Sequence, residues 1–293
     1  DTKPFLLYVS HKGVHADFLP PDRHAFKYDE VLIPTPPTPL SQPTLFTDPP
    51  MWVRNQSNSR HGVEFAYYTG VDMKKYYRRY CEALLAVDDS VGRLLGNLEK
   101  SGELEDTVIL YLGVNGFIFG EHGLIDKRCA YDESIRIPML MRYPKSLKPG
   151  TKVEKIVANI DVAPTLLEVA GLKSKERMDG ESFWQLAKGK GSSDWRKYLL
   201  YEYYWERNYP QTPTNHAVIG EDYKYIRYHG VWDQDELYHT KSDPKERKNL
   251  FNDSSQKSRI TEMNRALFDL LADSSGENMP LLRDRGTKYL HRK

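Results

Sequence analysis

At 293 residues the chain is long enough to bury a sizeable core, as one large domain or two smaller ones. Hydrophobic residues at 39%, charged residues at 28% and a net charge of +1 describe an ordinary globular chain, and leave nucleic acid and anionic membranes without a charge-based case as partners. Two cysteines, Cys81 and Cys129, exclude a disulfide framework, and no apolar run is long enough to span a bilayer.

Phe5–Val9 reads as a short buried strand, beginning within four residues of the first with no initiator Met or leader. The chain therefore reads as the later part of something longer. The strand runs into Ser10-His11-Lys12-Gly13-Val14-His15, which places two histidines and a lysine at a carboxyl end, the edge where open α/β sheets bind ligands. Residues 16–62 carry nine prolines, a density that forbids helix interiors and central strands. They read as a loop laid over the surface and walling a pocket, with disorder as the alternative. From Asp72 the apolar residues Tyr77, Tyr80, Leu84, Val87, Val91, Leu94 and Leu98 recur at helical spacing, with Asp72 as cap and Gly102 as stop. The paired carboxylates Asp88 and Asp89 fall mid-helix, where a solvated or structural face is expected rather than a ligand pair.

Thr107–Leu112 is a second strand pattern, and Ile137–Arg142 a third. Between them lies a glycine-rich polar stretch with Asn115, Glu121, His122, Asp126, Lys127 and Arg128. Glycines let the backbone turn sharply or approach a ligand closely, so this is the first place to expect chemistry; a mobile surface loop is the alternative. Val153–Val157 is a further strand candidate, and Asp161 caps a helix over Val162–Ala170 that Gly171 ends. The alternation argues an α/β layer with a mainly parallel sheet.

Lys188–Asp194 (KGKGSSD) has linker composition. Beyond it, Leu199–Trp205, His216–Gly220, Tyr223–Tyr228 and Glu236–His239 are short aromatic-rich strands that predict an antiparallel sheet. An amphipathic helix over 256–272 presents Ile260, Met263, Leu267, Leu270 and Leu271 on one side, and the tail from Gly276 is polar and basic.

Four separated segments, in one order, carry a family resemblance: PFLLYVSHKGVHADF, GVNGFIFGEHGLIDKRCAYDESIRIPMLMRYP, NIDVAPTLLEVAG and ELYHTKSDPKERKNL. Together they resemble the sulfatases of the alkaline-phosphatase-like superfamily. SHKGVHADF, RYCEALLAVDDSVG, EHGLIDKR and LYEYYWERNYPQTPT are similar to its N-acetylglucosamine-6-sulfatase branch, which includes mucin- and glycosaminoglycan-desulfating enzymes. The resemblance implies an alkaline-phosphatase-like α/β fold, with residues 1–190 in the catalytic domain and 195–293 in a smaller antiparallel sheet-plus-helix subdomain. It implies a sulfated carbohydrate substrate, a secreted, periplasmic or lysosomal site of action, a Ca²⁺ ion held by oxygen ligands, and a formylglycine nucleophile made from Cys or Ser in C/S-x-P-x-R. By resemblance, His15 contacts the sulfate and protonates the leaving oxygen, Lys127 holds a sulfate oxygen, and Asn115 is a metal ligand. Lys12 and His122 stand near the substrate. His216 and Trp232 are candidates for a sugar subsite, with core packing as the alternative for these aromatic segments.

The departures fall at the chemistry. Neither Cys81 nor Cys129, nor any Ser, lies in C/S-x-P-x-R, so the nucleophile is absent from this chain. The early pair of metal-binding carboxylates is absent too. Val114 stands where the family places an Asp ligand, and an isopropyl group cannot bind Ca²⁺. A sulfuric-ester hydrolase lacking its nucleophile-bearing part is one reading. A catalytically inactive relative that binds sulfated glycans is another, and a related phosphatase, phosphodiesterase or sulfohydrolase sharing the metal site is a third.

Overall fold

The computed structural model describes residues 3–15, 18–38, 41–55, 72–191, 193–207, 209–229 and 233–274. Its elements run in the order α1 (Met51–Asn55), α2 (Met73–Lys100), β1 (Ile109–Leu112), β2 (Ile118–Phe119), β3 (Ile125–Asp126), α3 (Asp132–Ile135), β4 (Met139–Arg142), α4 (Val162–Val169), α5 (Trp184–Ala187), β5 (Leu199–Tyr203), β6 (Thr214–Ile219), β7 (Lys224–His229), β8 (Glu236–Tyr238) and α6 (Lys257–Asp273). They fall into two compact units, Asp1–Pro36 with Ala66–Thr107, and Pro37–Phe65 with Val108–Lys293.

The first unit is built on α2. The Asp72 side chain accepts from the backbone N–H of Lys74 at 2.8 Å and of Lys75 at 3.4 Å, satisfying donors a helix start leaves open. Gly102, at φ +74°, takes the left-handed turn at the other end. Phe18, 1% exposed, packs its ring on Tyr76 at 4.5 Å and Tyr80 at 5.3 Å. Asp89 receives Arg23 at 2.8 Å and His24 at 2.7 Å, so this carboxylate ties the segment after Phe18 to the helix. Phe5–Val9 departs from expectation. It has no ladder partner among the described residues, and its side chains are exposed, Leu6 at 85% and Tyr8 at 83%. An apolar run reports what a strand needs to bury, not that a neighbour is present to bury it.

In the second unit β1 and β4 pair antiparallel, from Ile109 opposite Arg142 to Leu112 opposite Met139. The mainly parallel pairing expected here is not found among the described residues. All ladders are antiparallel, and an isolated bridge between Thr47 and Lys248 is parallel. Hydrophobic periodicity nominates strand candidates but does not set the direction of a partner. Val153–Val157 makes no ladder; Val157 instead packs with Leu110, Met139 and Met141 against Phe183 and Trp184. Asp161, expected as a helix cap, has a wider role. Fully buried before α4, it accepts from the N–H of Ala158 at 2.8 Å and of Glu181 at 2.9 Å and pairs with Arg196.

The C-terminal strands form one antiparallel sheet in the order β5-β6-β7-β8, as their alternation predicts. Side chains at successive positions go to opposite faces. Val218, Tyr225 and Leu237 meet Met263, Leu267 and Leu271 of α6, while Ala217, Ile226 and Tyr238 meet Ile118, Leu124, Ala130 and Tyr131. Burying each of the three α6 side chains contributes roughly 1.5–3 kcal/mol. The sheet is thus the floor on which the glycine-rich stretch is set. Residues 56–62 and the tail from Gly276 lie outside the described residues.

Candidate active site

After β1 the chain turns through Gly113, Val114, Asn115 and Gly116. A Cβ on Gly116 would lie 2.1 Å from the Glu133 carbonyl oxygen, and the Gly116 N–H donates to Ser134 O at 2.8 Å. Only glycine allows that approach. The hairpin β2–β3 follows, with Gly120 at φ +115° and Gly123 at φ +79° making its turn. Glu121 closes it by accepting from Phe119 N–H at 2.7 Å. Asp126, at φ +96°, holds a conformation non-glycine residues rarely adopt and leads directly into Lys127 and Arg128.

Asn115, Val114, Lys127 and Arg128 all line one cleft of about 1590 Å³. Val114 is 77% exposed, and the Asn115 amide donates to Gly116 O at 2.7 Å. Lys127 is half-buried, with no hydrogen-bond or ion-pair partner among the described residues. An ammonium so placed is a ready point charge for an oxyanion. Arg128 is occupied: it pairs with Asp126, donates to Glu206 at 3.3 Å and lies 3.4 Å from the Tyr209 ring centroid.

The histidines divide. His122, expected near substrate, is 4% exposed; it stacks on Tyr131 at 3.9 Å and its Nε2 lies 3.5 Å from Glu133. Burial works to raise the Glu133 carboxyl, but His122 and Lys245 outweigh it and hold the group at about 2. His216, expected in a sugar subsite, is fully buried and bonds His229 at 3.0 Å; burial, then the neighbouring His229, push it down to about 4. The structure gives both rings a packing position. Lys12 and His15 are exposed in the first unit, the His15 N–H bonding Lys12 O at 3.0 Å. Trp232 lies outside the described residues.

The expected Ca²⁺ finds no adequate donor set among the described residues at this strand end. Asn115 offers one neutral amide oxygen and Val114 none, where the ion takes six to eight oxygens. His122, Glu133 and Glu246 do converge within 4.8 Å of one another. A cation already serves that group: Lys224 Nζ sits 2.6 Å from Glu246 Oε1, donates to Ala130 O at 2.9 Å and pairs with Asp132. Burial alone lowers a lysine, but Glu246 and Asp132 outweigh it and keep this ammonium charged. Beside it, Glu236 is fully buried and receives the hydroxyls of Tyr131, at 2.8 Å, Tyr228 and Tyr238. Burial raises Glu236 to about 7 despite those three donors. Sequence reasoning passed over both groups. The signal available was a lysine and a glutamate inside strand patterns that otherwise read as buried.

Two family models match this chain: "Sulfatase" over residues 1–172 and "N-sulphoglucosamine sulphohydrolase, C-terminal" over residues 120–273. An N-acetylglucosamine-6-O-sulfatase of Bacteroides thetaiotaomicron is 35% identical over 240 residues, 77% of this chain and 42% of that protein. The N-acetylglucosamine-6-sulfatase of Bos taurus is 41% identical over 140 residues, 47% of this chain and 25% of that protein. The chain therefore spans less than half the length of these curated relatives. A solved protein in complex with its substrate, D-glucosamine-2-N,6-O-disulfate, superposes with a TM-score of 0.75 at 27% identity, covering 92% of this chain and 66% of the other. The fold class expected from the sequence, alkaline-phosphatase-like α/β, agrees with these neighbours.

Proposed function

The chain belongs to the sulfatase family, and from that premise we propose that it is the later part of a sulfuric-ester hydrolase acting on 6-sulfated N-acetylglucosamine in glycosaminoglycan or mucin. The observation that carries the reading is Lys127, an ammonium in the wall of a cleft, in the stretch that both matching sulfatase-type family models cover. Residues 1–190 are read as part of the catalytic domain and 195–293 as the C-terminal subdomain. The exposed apolar side chains of Phe5–Val9 support completion by a further, nucleophile-bearing part. Formylglycine, when present, supplies the nucleophile, and Ca²⁺ would need carboxylates from beyond this chain.

In this reading Lys127 neutralises a sulfate oxygen as charge shifts toward the leaving group, and His15 delivers the proton to the departing sugar oxygen. Lys12, beside His15 in the chain, is the further basic residue assigned to the substrate. Trp232 keeps its assignment to the sugar side, whereas His122 and His216, buried against Tyr131 and His229, are left out of substrate contact. A secreted, periplasmic or lysosomal location belongs to the same proposal.

A second reading is favoured by one observation. Val114 stands exposed where a metal-binding Asp is expected, which suits an inactive relative that binds sulfated glycans.

Sulfate release from 6-sulfated N-acetylglucosamine by the completed protein, lowered about a hundredfold but still measurable in Lys127→Ala, is the expected result. Binding of the sugar without turnover would select the inactive reading, and neither would refute both. The isolated 293 residues should not turn over 4-nitrophenyl sulfate.

A further inference from the structure

Lys127 is flanked by two residues that are unusually constrained. Asp126 has its backbone at φ +96°, a conformation that needs outside support in a non-glycine residue. Arg128 supplies some of it, pairing with the Asp126 carboxylate. Arg128 is itself held from three directions. Glu206 accepts from its Nε at 3.3 Å, the Tyr209 ring lies beneath its guanidinium at 3.4 Å, and the Asn215 amide donates to its carbonyl at 3.3 Å. Asn215 is fully buried in β6, so that third hold is fixed by the sheet.

Glu206 and Tyr209 belong to the connection between β5 and β6, and that connection is organised from within. Tyr209 N–H bonds Glu206 O at 2.9 Å, Thr212 N–H bonds Tyr209 O at 3.2 Å, and Trp205 donates to Thr214 Oγ1 at 2.9 Å and, through its indole, to Pro210 O at 3.2 Å. It therefore presents Glu206 to the edge and Tyr209 to the face of one guanidinium as a preformed unit.

We propose that Glu206 and Tyr209 are positioning residues for Lys127. By gripping Arg128 they fix the Asp126–Arg128 segment, so that the Lys127 ammonium stands in the cleft wall. The role of Lys127 toward sulfate rests on the function proposed above; the grip itself does not. It follows that the β5–β6 connection governs how firmly the sulfate oxygen is met, although neither side chain need touch substrate. Preorganised charge acts on the transition state more than on the bound ground state, so loosening it lowers kcat rather than raising KM.

The test places Glu206→Gln, Tyr209→Ala and Tyr209→Phe in the completed enzyme, each with Lys127 intact and with Lys127→Ala. Glu206→Gln and Tyr209→Ala should each lower kcat about tenfold with KM nearly unchanged. Tyr209→Phe, which keeps the ring under Arg128, should retain the wild-type rate. Without Lys127 none of the three should cause a further loss. Equal fold-losses in both backgrounds, or no loss, would overturn the proposal. A second readout needs no turnover: on the present chain, acetic anhydride should modify Lys127 severalfold faster in Glu206→Gln and Tyr209→Ala, followed by mass spectrometry. An unchanged labelling rate overturns the grip even if the completed enzyme proves inactive, and a changed rate with an inactive enzyme upholds the grip while refuting the function.

Discussion

Glu236 should make this protein less stable as pH rises toward neutrality, and Glu236→Gln should remove that slope. The folded carboxyl stands at about 7, against 4.5 for the ordinary group, because burial disfavours its charge more than three tyrosine hydroxyls favour it. The folded state therefore keeps its proton longer than the unfolded chain. Its stability contribution is complete below about pH 4.5 and lost as pH climbs through about 7. The whole gap corresponds to roughly 3 kcal/mol, of which about 2 kcal/mol falls between pH 5 and pH 7.5. His216, held at about 4, works the other way, since the unfolded imidazole takes its proton first and stability falls as pH drops below about 6.5. That contribution is common to both proteins and cancels in their difference. Urea unfolding of wild type and Glu236→Gln near these two pH values measures it. Wild type should lose about 2 kcal/mol relative to the variant on going to the higher pH. A relative change under about 0.5 kcal/mol, or one of opposite sign, would mean that the tyrosine hydroxyls hold the carboxylate charged across the whole range.

Three other outcomes are expected. Lys224→Met leaves Glu246 and Asp132 without their buried cation and should cost about 3–5 kcal/mol in urea unfolding, whereas Lys245→Met, which removes the exposed partner of Glu133, should cost under about 1 kcal/mol. Gly116→Ala drives a methyl into the Glu133 carbonyl and should destabilise by about 2 kcal/mol or more, seen as a lowered Tm, while Gly96→Ala, with open space around it, should not. In the completed protein Val114→Asp should raise Ca²⁺ affinity and sulfate release together, measured by calorimetry and by ion chromatography. If neither moves, position 114 is not a ligand position.

What the sequence disclosed follows the reach of each interaction. The four C-terminal strands and α6 were legible because alternation and helical spacing are local, and here local pattern and tertiary packing agree. The helix at Asp72 was legible from its cap and its glycine stop. Pairing direction for β1 and β4 was not, because direction depends on where a distant segment returns. Phe5–Val9 read as buried because its composition demands burial, yet no described residue covers it. At the candidate site, motif singled out Lys127 and Asn115, and the structure places both on the wall of one cleft. The grip on Arg128 was invisible, since Glu206 and Tyr209 lie about eighty residues further along the chain and nothing local announces the meeting.

The ammonium of Lys224 has one more consequence. Because side chains alternate along β7, shifting that strand by a single residue against β6 would carry Lys224 to the α6 face, among Met263, Leu267 and Leu271, and leave Glu246 and Asp132 stranded. An apolar side chain would tolerate either face, and an ammonium tolerates one. The lysine thus acts as a registration key for the sheet, rejecting misaligned pairings by the charge they would strand. The reward for correct alignment reaches Ala130, whose carbonyl Lys224 holds only three residues beyond Lys127.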